Sequence, residues 1–117
     1  MLPKQNRLTK NKEFENIFEN GDSFFTKILG IKYVKNEINI TRFGIIISNK
    51  VSKKAVVRNK IKRRLREILR LNFDQIKKGC DIAILARPGI SNCEYDELEK
   101  NIEYALRKTG LIFKQPL

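Results

Sequence analysis

The chain has 117 residues, of which 41% are hydrophobic and 32% charged, and its formal net charge is +12. This composition is typical of one globular domain with a single core, and it argues against global disorder. No apolar run approaches the roughly 18 residues of a membrane-spanning helix, and the N-terminal residues lack an apolar signal-peptide core. We therefore expect a cytoplasmic protein with one domain over residues 1–117 and no membrane contact.

The sequence contains no histidine and two cysteines, Cys80 and Cys93. A structural zinc site takes about four Cys or His ligands, so this pair cannot form one, and a reduced, packed thiol is expected at Cys80. Histidine is the commonest general acid–base, and its absence argues against acid–base catalysis by the protein itself. Carboxylates clustered at residues 94–99 lie where a helix should begin, an arrangement that stabilises a helix dipole. The chain thus has the composition of a binder, and we expect no catalytic residue and no metal ligand in it.

In chain order, residues 1–8 are polar and basic, and we expect them to form a loose basic arm. A first helix is predicted from Thr9 or Asn11, with Gly21 as its stop signal. Three apolar residues mark its inner face at helical spacing: Phe14, Ile17 and Phe18.

Residues 24–34 and 38–48 predict two strands, and the polar residues 35–39 between them indicate an antiparallel hairpin. Both faces of the second strand are apolar or small, which is typical of an inner strand. If residues 24–34 form two strands, the element order of the chain is αβββαβα, and otherwise it is αββαβα.

Residues 55–73 predict an amphipathic helix, residues 81–87 a short covered strand, and residues 95–109 a last helix closed by Gly110. The apolar stripe of the middle helix consists of Val57, Ile61, Leu65, Ile68 and Leu69. These elements predict an α+β fold, an α/β sandwich with three helices on one mixed sheet of about four strands.

The segment of residues 50–70, KVSKKAVVRNKIKRRLREILR, supplies +9 of the formal net charge of +12. Charge this dense costs self-repulsion unless a polyanion offsets it, and nucleic acid is the usual polyanion. The alternative is a solvated helix face that serves solubility, for which scattered charge of either sign would do as well. The candidate nucleic-acid-binding residues are Lys50, Lys53, Lys54, Arg58, Asn59, Lys60, Lys62, Arg63, Arg66 and Arg70.

Two features of the sequence leave alternatives open. The Asn59 amide could read a base or a sugar hydroxyl, or it could cap the start of the helix. Six aromatic residues could stack on single-stranded bases, although burial in the core is the commoner fate of each. They are Phe14, Phe18, Phe24, Phe25, Tyr33 and Phe43.

Two runs of this sequence resemble the signature of the bacterial ribonuclease P protein subunit. They are RFGIIIS at residues 42–48, followed by Lys50, and AVVRNKIKRRLRE at residues 55–67. The helix end at Phe14, Phe18 and Gly21 and the strand end ILARP at residues 84–88 extend the likeness over most of the chain. The sequence departs from the family pattern in the loop, where Asn49 replaces a frequent lysine and Ser52 a frequent glycine.

The resemblance implies the ribosomal protein S5 domain 2-like fold, with the basic helix in a left-handed βαβ crossover rather than the right-handed default. It implies a subunit of a ribonucleoprotein endonuclease that removes the 5′ leader from precursor tRNA. The catalytic centre would lie in the RNA subunit, which would hold most of the Mg²⁺, and no organic cofactor is implied. The expected partners are the ribonuclease P RNA subunit and precursor tRNA, with no obligatory protein partner.

The resemblance also assigns roles to residues of this sequence. The basic helix would bind the RNA subunit, mainly through Arg58, Asn59, Lys60, Lys62, Arg63 and Arg66. A cleft for the single-stranded leader would contain Phe14, Phe18, Tyr33, Arg42 and Arg87. The strand at Tyr33 aligns with the family in two ways that differ by one residue.

Three other functions would fit a small basic protein. A ribosomal or other structural RNA-binding protein would bind RNA without affecting precursor cleavage. A stand-alone nuclease would cleave without an RNA subunit, although the missing histidine and the lack of clustered carboxylates argue against it. A DNA-binding module would keep a small base-reading set at the helix start, whereas the cations here surround the helix.

Overall fold

The computed structural model describes residues 2–112, which form one four-stranded sheet packed against helices on both faces. Within this range no helix is long and apolar enough to cross a membrane. The helices and strands, in chain order, are α1 (Asn11–Asn20), β1 (Asp22–Phe25), β2 (Leu29–Lys35), β3 (Arg42–Ile46), α2 (Ala55–Leu71), β4 (Cys80–Ala86) and α3 (Tyr95–Lys108). The order αβββαβα is therefore confirmed.

The predicted strand over residues 24–34 is split by a turn at Thr26. The Thr26 hydroxyl accepts the backbone N–H groups of Ile28 and Leu29, at 3.3 and 3.2 Å, and its own N–H donates to the Leu29 carbonyl. A side chain that binds its own local backbone in this way favours a turn over a continuous strand. As a result β1 and β2 form an antiparallel hairpin, with Phe24 opposite Ile31.

The hairpin predicted between the strands at residues 24–34 and 38–48 is wrong. The sheet order is β1-β2-β4-β3, so β4 lies between β2 and β3, antiparallel to the first and parallel to the second. Asn36, just after β2, donates its backbone N–H to the Gly79 carbonyl at 2.7 Å and its amide to Asp81 at 2.9 Å. These contacts tie the loop after β2 to the start of β4, so the chain crosses the end of β4 before β3 begins.

Strand β3 is consequently an edge strand, not an inner one. Its two faces are apolar because each is covered: Phe43 packs against the core under α2, and Gly44 lies beneath the ring of Phe14 from α1. A Cβ atom at Gly44 would overlap that ring, so the close approach of α1 to the sheet requires glycine here.

The N-terminal segment, residues 2–8, is not a loose arm. Arg7 pairs with Phe43 in a parallel β-bridge, and the Leu8 N–H donates to the Phe43 carbonyl at 2.8 Å. The Asn6 amide donates to the Thr41 carbonyl at 2.8 Å, and Leu2 and Leu8 are buried. The segment is polar and basic, but its two leucines anchor it along the free edge of β3, which it partly covers.

Helices α2 and α3 cover one face of the sheet, and α1 covers part of the other. The first face holds the main core, with Leu29 and Ile31 of β2 and Ile82 and Ile84 of β4 all fully buried. The second face holds a small cluster in which Ile17 of α1 packs against Ala83 of β4. Helix α1 packs mainly against β2 and β4, and its Phe14 reaches Gly44 of β3, which leaves the far end of this face open.

The predicted ends of α1 and α3 are confirmed. Gly21 follows α1 directly, and Gly110 after α3 has a φ of +75°, a left-handed conformation that favours glycine. Asp96 and Glu97 occupy the first turn of α3, where their charge stabilises the helix dipole.

Cys80 is buried and unpaired, as expected. The left-handed sense of the β3-α2-β4 crossover stays a prediction.

Replacing Leu65 by alanine should lower the free energy of unfolding by ~2–5 kcal/mol, because this fully buried side chain would leave a cavity under α2. The matched control is Leu71→Ala on the same helix, where the side chain is 55% exposed and the expected change is within about 0.5 kcal/mol. Urea denaturation of both variants measures the difference. Equal losses would mean that α2 does not dock through this stripe.

Candidate nucleic-acid interface

The cations of α2 point away from the sheet because the helix buries one apolar stripe. Its buried residues are Ile61, Leu65, Ile68 and Leu69, with Val57 partly buried at the start. At 3.6 residues per turn the positions between them are then directed to the sides and outer surface of the helix. Asn59, Lys60, Arg63 and Arg70 are exposed, whereas Arg58, Lys62, Arg64 and Arg66 are partly buried along its flanks.

The loop before α2 presents Lys50, Lys53 and Lys54 as exposed side chains around a buried anchor, Val51. The Ser52 hydroxyl accepts the Lys54 N–H at 3.2 Å, and its carbonyl accepts Nη1 of Arg58 at 2.7 Å. Among the described residues only Asn39 is a non-glycine with positive φ, so the loop does not need glycine at Ser52. Arg58 therefore fixes the loop on the helix as well as contributing charge.

Asn59 does not cap the helix, and that alternative is wrong. Helix α2 begins at Ala55, so Asn59 lies within it, and the N-cap residue Lys54 makes no side-chain capping bond. The Asn59 side chain is exposed, with its neighbours Arg58 and Lys60 on either side along the chain. Its amide is thus free to face a ligand.

Two flanks of α2 border grooves of different character. On the β3 side, Lys62 and Arg66 share a cleft of about 340 Å³ with Arg7 and with Phe14 and Gly44 beyond the sheet edge. On the α3 side, Lys60, Arg63 and Arg64 line a shallow groove that Tyr95 closes. The first cleft joins the basic helix to the aromatic face of α1.

The open face of the sheet carries aromatic rings and cations. Phe18 is 42% exposed, and Nζ of Lys32 lies 5.4 Å from the centre of its ring. Phe25, 50% exposed, covers Gly30, and the guanidinium carbon of Arg87 lies 5.9 Å from the centre of that ring. The structure therefore places Phe14, Phe18 and Arg87 on the same side of the sheet, as the predicted cleft requires.

Tyr33 does not share this cleft. Along β2, Leu29, Ile31 and Tyr33 pack with the main core under α2 and α3, whereas Val34 packs against α1 on the opposite face. Because side chains alternate between faces, a shift of one residue moves Tyr33 to the other side of the sheet. Lys32 occupies the position beside Phe18 instead.

Arg42, also predicted for the cleft, is held by two carboxylates. Its Nε and Nη2 donate to the buried Asp81 carboxylate at 2.8 and 2.7 Å, and its Nη1 donates to Glu13 of α1. The hydrogen bonds to Asp81 raise the pKa of the Arg42 guanidinium above its ordinary value. This cluster, Glu13–Arg42–Asp81, joins α1 to β3 and β4, so Arg42 positions the cleft rather than offering an unpaired charge to it.

Glu13 has a second role in this cluster. Its carboxylate accepts the backbone N–H groups of Thr9 and Lys10, each at 3.0 Å. Burial acts to raise the pKa of Glu13, but these N–H groups and the neighbouring Arg42 outweigh it, and the pKa lies below its ordinary value of 4.5. The charged form of Glu13 is therefore the one that the fold stabilises.

Sequence reasoning missed Arg7 and Lys32 as candidate binding residues. Arg7 lay in the segment expected to be a loose arm, and only the leucines beside it indicated packing. Lys32 could have been found from the alternation along β2, since Leu29, Ile31 and Tyr33 form one apolar face and Gly30, Lys32 and Val34 the other. Within residues 2–112, no three His, Cys, Asp or Glu side chains are grouped to hold a metal ion.

The family assignment rests on sequence comparison. The sequence model of the family described as Ribonuclease P matches residues 2–110. The chain belongs to the ribonuclease P protein family. A ribonuclease P protein component from Clostridium botulinum is 39% identical over 109 residues, which cover 92% of this chain and 97% of the relative. One from Syntrophomonas wolfei is 39% identical over 111 residues, covering 95% of this chain and 92% of the relative.

Solved structures of the family share the fold. A Staphylococcus aureus RNase P protein, a mutant described as having defective mRNA degradation activity, matches with a TM-score of 0.88 and 29% identity, covering 93% of this chain and 92% of that one. The RNase P protein from Thermotoga maritima matches with a TM-score of 0.80 and 31% identity, covering 87% of this chain and 96% of that one. The predicted α+β fold, with three helices on a four-stranded mixed sheet, is confirmed.

The Glu13–Arg42–Asp81 cluster makes stability depend on pH. A carboxyl whose pKa is lowered by folding contributes stability above its unfolded pKa and loses it as the pH falls through the folded value. Below pH 4.5 the free energy of unfolding should therefore fall more steeply in the wild type than in Glu13→Gln. Urea denaturation between pH 6 and pH 3 measures both profiles, and parallel profiles would contradict the role assigned to Glu13.

Proposed function

We propose that this chain is the protein subunit of ribonuclease P, which binds the catalytic RNA subunit and the single-stranded 5′ leader of precursor tRNA. It would assist Mg²⁺-dependent endonucleolytic removal of the leader, which gives the mature tRNA 5′ end. A cytoplasmic location goes with this role and remains a prediction.

One observation carries the proposal: the basic flank of α2 and the aromatic face of α1 meet in a single cleft. Lys62 and Arg66 border it on one side, and Phe14 borders it on the other, with the edge of β3 between them. Cations bind the phosphate backbone, and exposed aromatic rings stack on unpaired bases. A surface on which cations adjoin aromatic rings suits an RNA whose single-stranded part extends from a structured region.

The start of α2 supports an anionic ligand as well. Its first turn contains no acidic residue, and its N-cap makes no side-chain hydrogen bond, so its free N–H groups add to the charge of Lys53 and Lys54. A helix start is usually stabilised by acidic side chains, and here cations take their place. A phosphate backbone along the loop and the first turn would offset both the dipole and the lysines.

We place catalysis in the RNA subunit and assign none to the protein alone. The residues described here offer no group of carboxylates suited to Mg²⁺, so the ions would be held mainly by the RNA. The protein would contribute positioning of the leader and neutralisation of phosphate charge near the cleavage site. Such a role uses cations and aromatic rings, which this surface supplies.

The first test is 5′ cleavage of a precursor tRNA by a bacterial ribonuclease P RNA at low Mg²⁺, with and without the protein. The wild type should raise the cleavage rate, and Lys60→Glu/Arg63→Glu should remove most of that rise, because the repulsive charges would face the RNA. The control Lys100→Glu/Arg107→Glu makes the same charge change at exposed positions of α3 and should keep the stimulation. RNA binding without any change in cleavage would favour a structural RNA-binding protein.

The same experiment without the RNA subunit tests for a nuclease activity of the protein itself. The Staphylococcus aureus mutant protein is described as defective in mRNA degradation activity, which makes this arm informative. We expect no cleavage of the precursor by the protein alone. Protein-dependent cleavage that survives removal of the RNA subunit would overturn the placement of catalysis in the RNA.

Replacing Phe18 by alanine should weaken binding of a precursor that carries a leader by ~1–3 kcal/mol, the contribution of one stacked base. Binding of the leaderless tRNA should not change. The control is Tyr104→Ala on α3, since Tyr104 is 45% exposed and Phe18 42%. Equilibrium binding to the assembled holoenzyme measures all three proteins, and an equal loss with the leaderless tRNA would exclude a stacking role in leader binding.

A further inference from the structure

The cleft between the N-terminal segment and α2 contains three cations and no carboxylate. It is lined by Arg7, Lys62 and Arg66, together with Thr9 and apolar side chains. None of the three cations forms an ion pair with an acidic side chain of residues 2–112. Other arginines of this surface are satisfied within the protein: Arg42 by two carboxylates, Arg70 by Glu67, and Arg58 and Arg87 by backbone carbonyls.

Arg7 is the unusual member of this cluster. Its Nε is buried and has no hydrogen-bond partner within the described part of the chain. A buried donor without a partner costs free energy, commonly on the order of 1–3 kcal/mol. Its backbone, meanwhile, is paired with Phe43, so the side chain starts from a fixed point beside the cleft that it lines.

We propose that Arg7, Lys62 and Arg66 together bind a single phosphodiester group of RNA, which makes the N-terminal segment part of the RNA-binding surface. The inference rests on the proposed function and names one contact within it. An anion in the cleft offsets the mutual repulsion of three cations and supplies an acceptor for the buried Nε–H of Arg7. Phe14 borders the same cleft, so a base next to this phosphate meets an aromatic ring.

The test uses the salt dependence of RNA binding, because its slope counts the phosphates contacted. Each phosphate lost lowers the magnitude of the slope of log affinity against log salt by roughly 0.7–0.9. If the cations share one phosphate, the triple variant Arg7→Gln/Lys62→Gln/Arg66→Gln should lower it by that amount, because no cation of the cluster then remains to hold the phosphate. A fall of roughly twice that size would indicate two separate phosphates, and an unchanged slope would indicate none. Either result would overturn the proposal.

The control is Lys4→Gln, which removes an exposed cation from the same segment without touching the cleft. It should bind RNA as the wild type does, whereas Arg7→Gln should bind more weakly. If Lys4→Gln and Arg7→Gln weakened RNA binding equally, Arg7 would contribute only to the overall positive charge, and the shared site would be overturned. If Arg7→Gln melts below the wild type, Lys62→Gln/Arg66→Gln replaces the triple variant, since both residues lie on the flank of a helix. The slope should then fall by at most the amount of one phosphate, and a fall of twice that amount overturns the shared site.

Two arms of the experiment determine whether the phosphate belongs to the RNA subunit or to the leader. The full-length variants are measured with the isolated RNA subunit, and then as holoenzymes with precursors that carry or lack a leader. A reduced slope with the RNA subunit assigns the phosphate to it, and one seen only with the leader assigns it to the leader. No reduction in either arm overturns the site, whereas a wild type that fails to stimulate cleavage overturns the proposed function itself.

Discussion

The burial of one apolar stripe of α2 against the sheet determines where every cation of that helix points. Because Leu65 and its neighbours are fully buried, the cations are distributed over the outer surface and the two flanks. Only Glu67 is acidic on this helix, and its ion pair with Arg70 is exposed, so it offsets little of the repulsion. Burial of the apolar stripe therefore has to offset the electrostatic repulsion between these cations, and binding of a polyanion reduces that repulsion.

A second constraint sets the geometry of the opposite face. The buried Asp81 carboxylate orients Arg42 across β4 and β3, and Arg42 in turn holds Glu13 at the start of α1. Removing one partner of such a cluster leaves an uncompensated charge, which is far more costly than losing a surface pair. The position of Phe14 over Gly44 follows from it, since α1 can approach the sheet only where the cluster and the glycine both allow it.

The helices and the family could be read from the sequence, because both signals are local. The stripe of α2 repeats at helical spacing, and the run from Arg58 to Glu67 is specific enough to identify the family. Strand pairing could not be read in this way: nothing local to residues 35–39 tells that β4, more than forty residues later, inserts beside β2. The prediction that Tyr33 lies on the cleft side of the sheet was wrong for a related reason: a one-residue shift in register moves every side chain of a strand to the opposite face.

The packing of residues 2–8 was missed for a different physical reason. Their polar and basic character is that of an unbound tail, and the two leucines acquire partners only when the edge of β3 exists. The free charge of Arg7 depends on the same edge, since its backbone is held by Phe43. Long-range pairing thus decided both the shape of this segment and its candidate role.

The central position of β4 has a consequence for synthesis on the ribosome. This strand is the last of the four to be made, yet it pairs with both β2 and β3. Until β4 emerges, the β1-β2 hairpin is therefore the only strand pair of the sheet that can form. The nascent chain will present α2 with its cations already in place but its apolar stripe uncovered. The strands of such a sheet pair late and slowly, because its central contacts join distant parts of the sequence. During that interval a strongly basic, partly folded chain is exposed both to aggregation and to capture by any nearby RNA.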